Sequence, residues 1–307
     1  MRRVLLWLAG NAWLREHLPR FAFAKRAARR FMPGEGLDDA LAAGRGFQDE
    51  GIGVILTRLG EDVTSDAEAD AVAAHYEEVI ERLSTNGIDG YVSFKLTQLG
   101  LEQDAERAYQ RCARLAQRAA AHGSIVVIDM ESSRLTDATL ELYERLLAAH
   151  PGSGICLQAY LRRTASDLQR LLPMHPFVRL VKGAYQEPPE VAYRSDREVD
   201  ASYVSLATTM LQARASGDEV GIGLGTHDVA LIELIEAQAR AVGLDRTAFE
   251  VEMLYGIRVD QQRRLAREGY RVRDLIAYGE AWYPWYMRRL AERPANVAFA
   301  LRQVVPW

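Results

Sequence analysis

From Gly51 onward the chain alternates between two hydrophobic rhythms. Short apolar runs rich in β-branched residues read as strands. They are GVILTRL (53–59), YVSFKLT (91–97), SIVVIDM (124–130), GICLQAY (154–160), FVRLVKG (177–183), EVGIGLGT (219–226), FEVEML (249–254) and YRVRDLIAY (270–278). Between them lie longer amphipathic stretches such as DAEADAVAAHYEEVIERL, DAERAYQRCARLAQRAAAHG, DATLELYERLLAAH and VALIELIEAQARAVG. Several open on Asp or Ser-Asp, whose side-chain oxygens can cap free backbone N–H groups, and two close on glycine. These are helices. Eight strands alternating with helices predict a parallel sheet with helical crossovers. The even rhythm and the count favour a (β/α)8 barrel of the TIM type over the competing doubly wound open sheet. The expected division is an N-terminal helical extension over residues 1–50 and the barrel over 51–307. Neither a short repeat nor a low-complexity linker interrupts it.

The first fifty residues carry basic runs such as KRAARR and a turn at PGEG. The opening stretch MRRVLLWLAGNAWLREHLPRF starts like a signal peptide, but its apolar run from Val4 to Ala9 is too short to span a bilayer. An amphipathic helix is expected there. Either it packs on the domain, which is the favoured reading, or it lays Leu5, Leu6, Trp7 and Trp13 on a membrane surface.

Composition narrows the function without naming it. With 307 residues, 49% hydrophobic and 26% charged, the chain can bury a large core. A net charge of -4 with no dominant basic stripe points away from nucleic acid. Cys112 and Cys156 form no CxxC pair, so buried reduced thiols and a cytoplasmic chain are expected.

In a barrel of this kind, function sits at the carboxyl ends of the strands. Several strands end in groups that are costly to bury alone: Lys95, then Asp129 with Met130 and Glu131, then Gln158, then Arg179 and Lys182 running into Gly183-Ala184-Tyr185, then Thr226-His227-Asp228. One such residue is usually a salt bridge; all of them converging on one rim imply a ligand site. Near the end of the chain, AWYPWYMRRLAERPAN places Arg288 and Arg289 after a dense aromatic patch. Other motifs fail. GIGLGT (221–226) lacks the spacing of a dinucleotide fingerprint, His227 has no partner at metal-ligand spacing, and no GxSxG elbow exists. Lys182 could be a Schiff-base lysine, but that leaves the arginine pair and Gln158 without a role.

SFKLTQLG, LQAYLRR, FVRLVKGAY, GTHD and RRLAERPAN, in this order between about Leu56 and Asn296, resemble the proline dehydrogenases, flavin-dependent enzymes of proline catabolism. The resemblance implies a distorted (β/α)8 barrel with FAD at the carboxyl ends of the strands and the last helix laid over the mouth. It implies a carboxylate clamp of Lys95, Arg288 and Arg289, with Leu254, Leu275 and Trp285 completing the substrate pocket. It assigns Asp129 and Arg179 to catalysis, Arg179 beside the flavin N5. The implied flavin contacts are Met130, Gln158, Arg179, Lys182, Gly183, Ala184, Tyr185, Thr226 and His227. Glu61 would gate the first arginine and Glu292 would orient it. Proton loss to solvent, a cyclic imine product, and electrons passed to a membrane quinone, with the protein peripheral at the inner face of the membrane, complete the expectation.

Two positions depart from the family. A tyrosine in a Tyr-x-Pro-x-Gly context is replaced by Leu275, with Ala277 in the proline's place, within LIAYG. A second tyrosine, three residues before the first arginine, is replaced by Trp285. Tyr286 stands one residue on, but a one-residue shift turns a side chain about 100° around a helix. Trp282, Tyr283 and Trp285 have a plainer reading as core packing. The rebuilt ring wall leaves two substrates open: proline, or another secondary amino acid such as a substituted proline, a larger ring or an N-methyl amino acid. A Schiff-base lyase, a non-catalytic flavin or amino-acid sensor and an interaction scaffold are the competing classes.

Overall fold

The computed structural model describes residues 11–18, 21–60 and 63–292. Its strands are β1 (Gly53–Arg58), β2 (Gly90–Lys95), β3 (Val126–Asp129), β4 (Gly154–Gln158), β5 (Phe177–Val181), β6 (Gly221–Gly225), β7 (Glu250–Leu254) and β8 (Arg271–Tyr278). They pair in sequence order, and all pairs are parallel. The open-sheet alternative is excluded because β1 also pairs with β8, from Gly53↔Arg273 to Arg58↔Tyr278, and closes the barrel. Long helices cross between strands: Asp66–Thr85, Ala105–Ala121, Thr136–Ala149, Asp196–Ala215 and Val229–Ala241 among them.

Strand boundaries differ from the pattern at the carboxyl ends. The second apolar run was expected to stay extended to Thr97, but the strand stops at Lys95 and Leu96–Leu99 winds into a 3-10 turn. The reason is polar: Thr97 N and Oγ1 both donate to the buried Glu131 carboxylate, at 3.1 and 2.8 Å. The cap gives the Thr97 N–H a partner outside the ladder, as each buried backbone group must have one. The helix starts follow their expected chemistry. Ser65, Asp104, Ser195 and Asp228 each accept a backbone N–H from the first turn of the helix they cap.

Alternation divides the strands into two buried sets. Val54, Leu56, Val92 and Phe94 face the helices in the main core. Ile55, Tyr91 and Val127 fill the barrel interior with Phe177 and Leu275. β6 is unusual: its inward positions are all glycine. A Cβ at Gly221 would lie 2.5 Å from the Phe177 ring, at Gly223 2.0 Å from Glu252 Oε1, and at Gly225 2.8 Å from Val181 Cγ1. The glycines of GIGLG are therefore a packing device that clears one wall of the barrel, which explains why their spacing fits no dinucleotide fingerprint.

The helices Ala22–Ala28 and Trp282–Glu292 join outside the barrel proper. Ala24, Ala28, Phe31 and Met32 bury Trp282, Tyr283, Tyr286 and Met287 in a second apolar cluster. Among the described residues no helix is long and apolar enough to cross a membrane. The predicted segment Leu5–Trp7 lies outside them. Cys112 and Cys156 are both buried and unpaired.

Candidate functional site

A cavity of about 1370 Å³ opens at the carboxyl ends of the strands. It exceeds the roughly 300–1,000 Å³ of ordinary small-molecule sites. Parallel strands aim their last inward side chain at the same mouth, so residues far apart in sequence meet there. Lys95 comes from β2, Asp129 from β3, Gln158 from β4, Arg179 from β5, Leu254 from β7 and Leu275 from β8. Met130, Lys182, Gly183, Ala184, Tyr185, Thr226 and His227 come from the loops that follow.

The floor is held by Asp129 and Arg179. Arg179 Nη2 donates to Asp129 Oδ1, and Ser93 Oγ donates to the same oxygen at 2.5 Å. Arg179 is only 4% exposed. Burial opposes its charge, but the Asp129 and Glu252 carboxyls outweigh that and raise its pKa well above the ordinary value. Such a pair is held against a desolvation cost of several kcal/mol per ion, so breaking it from one side is severe. Arg179 Nε and Nη1 are buried and have no hydrogen-bond acceptor among the described residues.

Along one wall, Gln158 Nε2 donates to the Met130 carbonyl at 3.2 Å, which fixes the amide and leaves its Oε1 buried without a donor. Gly183, at φ 118°, lets the chain pass against Tyr160; a Cβ there would lie 2.2 Å from the ring. Lys182 Nζ sits between Asp200 at 2.5 Å and Asp228 at 3.5 Å. Two carboxyl groups flank it, the reverse of the apolar pocket that makes a Schiff-base lysine nucleophilic. Asp228 also caps the helix Val229–Ala241, and its own N–H donates to Thr226 Oγ1 at 3.1 Å.

The last helix divides its aromatic residues by phase. Pro284, Trp285 and Arg289 line the cavity, while Trp282, Tyr283 and Tyr286 face the N-terminal helices. Trp282 Nε1 donates to Glu35 Oε1 at 3.0 Å, anchoring that opposite face. Tyr286 packs near Phe31, at 5.9 Å between ring centroids, and not on the cavity. The Arg289 guanidinium lies 5.9 Å from the Trp285 ring centroid, within cation–π reach. The side chains of Arg288 and Glu292, and the whole of Glu61, lie outside the described residues. Among the described residues no cluster of His, Cys, Asp and Glu could hold a metal ion.

Several cavity residues escaped the sequence reading, a buried carboxyl on the floor among them. Glu252, from β7, is buried on the floor beside Arg179. The signal was present in FEVEML, where Glu250 and Glu252 stand two apart and so share the inward face of a strand. Glu250 is matched at the amino end of the barrel by Arg271 and Arg273, at 2.5 and 2.8 Å. Among the described residues Glu252 has no such arginine within hydrogen-bonding distance. Burial, first, and the neighbouring Glu250 push its carboxyl up to about 7, against the pull of Arg179 and of a hydrogen bond from Tyr91.

Comparison with known proteins agrees along nearly the whole chain. The family model for proline dehydrogenase matches residues 40–302. Proline dehydrogenase 1 of Bacillus subtilis subsp. natto is 33% identical over 305 residues, 99% of each chain. The proline dehydrogenase of Deinococcus radiodurans is 37% identical over 280 residues, 90% of this chain and 89% of that one. Among solved structures, proline utilization A from Bdellovibrio bacteriovorus, inactivated by N-propargylglycine, superposes with a TM-score of 0.80 at 24% identity. The match covers 87% of this chain and 32% of that longer one, and it shows the shared fold.

Proposed function

The chain belongs to the proline dehydrogenase family, and from that premise we propose that its cavity oxidises L-proline to 1-pyrroline-5-carboxylate with bound FAD, electrons passing on to a quinone. The observation that carries the reading is the cavity's division of charge: Lys95 and Arg289 line it together with an Asp129–Arg179 pair buried at its floor.

Lys95, Arg288 and Arg289 bind the substrate carboxylate. A planar guanidinium fork matches a carboxylate, and each charge-assisted hydrogen bond contributes about 1.5–3 kcal/mol. Leu254 and Leu275 form an apolar wall for the ring, and Trp285 covers it and excludes water. The amine binds with its proton lost to solvent; the adjacent carbon then gives up hydride, and the nitrogen lone pair closes the C=N bond of the product. Glu61 acts as the gate partner of Arg288, and Glu292 orients it.

The residues present fit FAD. A cavity larger than one amino acid needs carries buried polar atoms of both kinds, Arg179 Nε and Nη1 as donors and Gln158 Oε1 as an acceptor. The edge of a flavin ring offers matching groups. Met130, Gln158, Lys182, Gly183, Ala184, Tyr185, Thr226 and His227 would hold it, with Arg179 beside its reactive edge. When bound, it supplies a two-electron acceptor for the hydride. Asp129 keeps Arg179 from rotating away. Peripheral contact with a membrane belongs to the same proposal; Trp13, 62% exposed on the N-terminal helices, supports it.

The test is a visible spectrum of the purified protein and an anaerobic titration with L-proline. Flavin bands that bleach support the whole reading. Bands that persist with proline but bleach with a hydroxylated, larger-ring or N-methyl amino acid support the second substrate reading, which the leucine wall favours. A colourless protein that takes up no FAD sinks both. N-propargylglycine, which inactivates the Bdellovibrio relative, should inactivate this enzyme too.

A further inference from the structure

Beneath the proposed ring site lies a carboxyl that the chemistry above does not use. Glu252 is 3% exposed and turned into the barrel, in the room that the missing Gly223 side chain leaves. Tyr91 Oη, from β2, donates to its Oε1 at 2.9 Å. Its Oε2 has no hydrogen-bond donor among the described residues. Arg179 Nε stands 3.8 Å from that oxygen, within ion-pair range but beyond hydrogen-bonding reach, and has no other acceptor. The same guanidinium is tied on its other side to Asp129. One cation thus stands between a carboxylate it bonds, on β3, and a carboxyl it faces across a short gap, on β7.

We propose that Glu252 is a proton-linked positioning residue: protonated, it leaves Arg179 to Asp129 alone, and ionised, it draws Arg179 Nε onto Oε2 and shares the guanidinium across the barrel. The gap is short enough for a small side-chain movement to close, and the bond formed would be charge-assisted.

The surroundings agree. Facing Glu252 are Tyr91 from β2, Arg179 from β5, Glu250 from β7 itself and Arg273 from β8, with Tyr203 of the helix Asp196–Ala215 behind; Asp129 from β3 and Cys156 from β4 face Arg179, and β6 presents only glycine. Burial raises the Tyr91, Tyr203 and Cys156 pKa values, so these groups stay neutral, and Arg179 stays charged. Burial sets the Glu252 carboxyl at about 7, so the charge that changes near neutrality is its own. The consequence for catalysis rests on the function proposed above. There Arg179 stands beside the cofactor ring, so ionising Glu252 removes a donor from the ring, adds negative charge beneath it and makes it harder to reduce.

The test uses the purified holoprotein labelled with 15N-arginine, with the Arg179 Nε–H resonance assigned through Arg179→Lys. Across neutral pH the resonance should move with one midpoint, and the infrared band of a protonated carboxyl should bleach with the same midpoint. Both changes should be absent in Glu252→Gln, with the resonance fixed at its low-pH position. A resonance that does not move in the wild type, or that moves equally in Glu252→Gln, overturns the proposal. Should Glu252→Gln not fold, Tyr91→Phe removes the bond that favours the carboxylate and should raise the midpoint; an unmoved midpoint also overturns it. The flavin reading is judged separately. A colourless protein whose Arg179 signal still titrates keeps the switch and loses the cofactor. With flavin bound, the midpoint potential should fall more steeply above the Glu252 midpoint in the wild type than in Glu252→Gln.

Discussion

Leu254 and Leu275 stand in register across β7 and β8, and both face the cavity. Tyr255 N donates to the Leu275 carbonyl at 3.0 Å, so the strand ends are locked together just where the wall forms. Both side chains are apolar, and neither carries a hydroxyl.

In the proposed function that wall lies against the substrate ring. The double variant Leu275→Tyr with Trp285→Tyr should raise kcat/KM for L-proline by roughly tenfold, about 1.4 kcal/mol of transition-state binding. Steady-state kinetics of a folded, flavin-loaded variant check this. An unchanged kcat/KM would mean these two positions do not touch the ring.

Arg289 faces the cavity from the last helix, which packs its other side on Ala24, Ala28, Phe31 and Met32. Arg289→Ala should raise KM for the amino acid by roughly 10- to 100-fold, the loss of one charge-assisted bond, while the visible spectrum stays that of the wild type. Normal substrate affinity in this variant would remove Arg289 from the clamp.

Asp129 is the hydrogen-bonded counter-charge of a nearly fully buried guanidinium. Asp129→Asn should destabilise the fold by about 3–5 kcal/mol, because it leaves Arg179 buried without its bonded partner. Denaturant titration measures it. A loss under about 1 kcal/mol would show that Glu252 replaces Asp129 at once, since an exposed-type contribution is all that would be missing.

Asp274, on the outer face of β8, is wholly buried, and neither carboxyl oxygen has a hydrogen-bond partner among the described residues. The neighbouring Gln262 spends its amide N–H groups on the Leu254 and Ile257 carbonyls, at 3.1 and 3.2 Å, and its own Oε1 is also without a donor. A proton on Asp274 would satisfy Gln262. Burial pushes the carboxyl up to about 8, against a smaller pull from Gln262. A carboxyl raised on folding binds more protons folded than unfolded between the two pKa values, so stability falls as pH rises through that window and then levels off. The slope should be about 1.4 kcal/mol per pH unit, with Glu252 adding to it below about 7. Asp274→Asn, which carries a donor of its own, should flatten the profile and be more stable than the wild type at alkaline pH. Denaturant midpoints across a pH series decide it; parallel profiles would rule the proton out.

Much of this was legible in the chain because barrels are built from local rhythm. A period of two for strands, the 3.6 period for helices and Asp or Ser caps are properties of neighbouring residues, so eight strands and their helices could be read one after another. The rim residues were legible for the same reason: a lysine, an aspartate or an arginine at the end of an apolar run declares itself. Partnership was not legible. That Arg179 bonds Asp129 and faces Glu252, or that Lys182 is pinned by Asp200 and Asp228, depends on which strands and loops become neighbours when the sheet closes. The split of Trp282, Tyr283, Trp285 and Tyr286 between cavity and packing face needed the phase of the last helix against the N-terminal helices. By itself the sequence determined the elements, their order and the kinds of groups at the barrel mouth, because those follow from spacing along the backbone. Only the tertiary structure decided which buried charges are paired, which are left facing a gap, and which glycines clear the space for them, because burial and distance between chain-remote groups exist only once the barrel is closed.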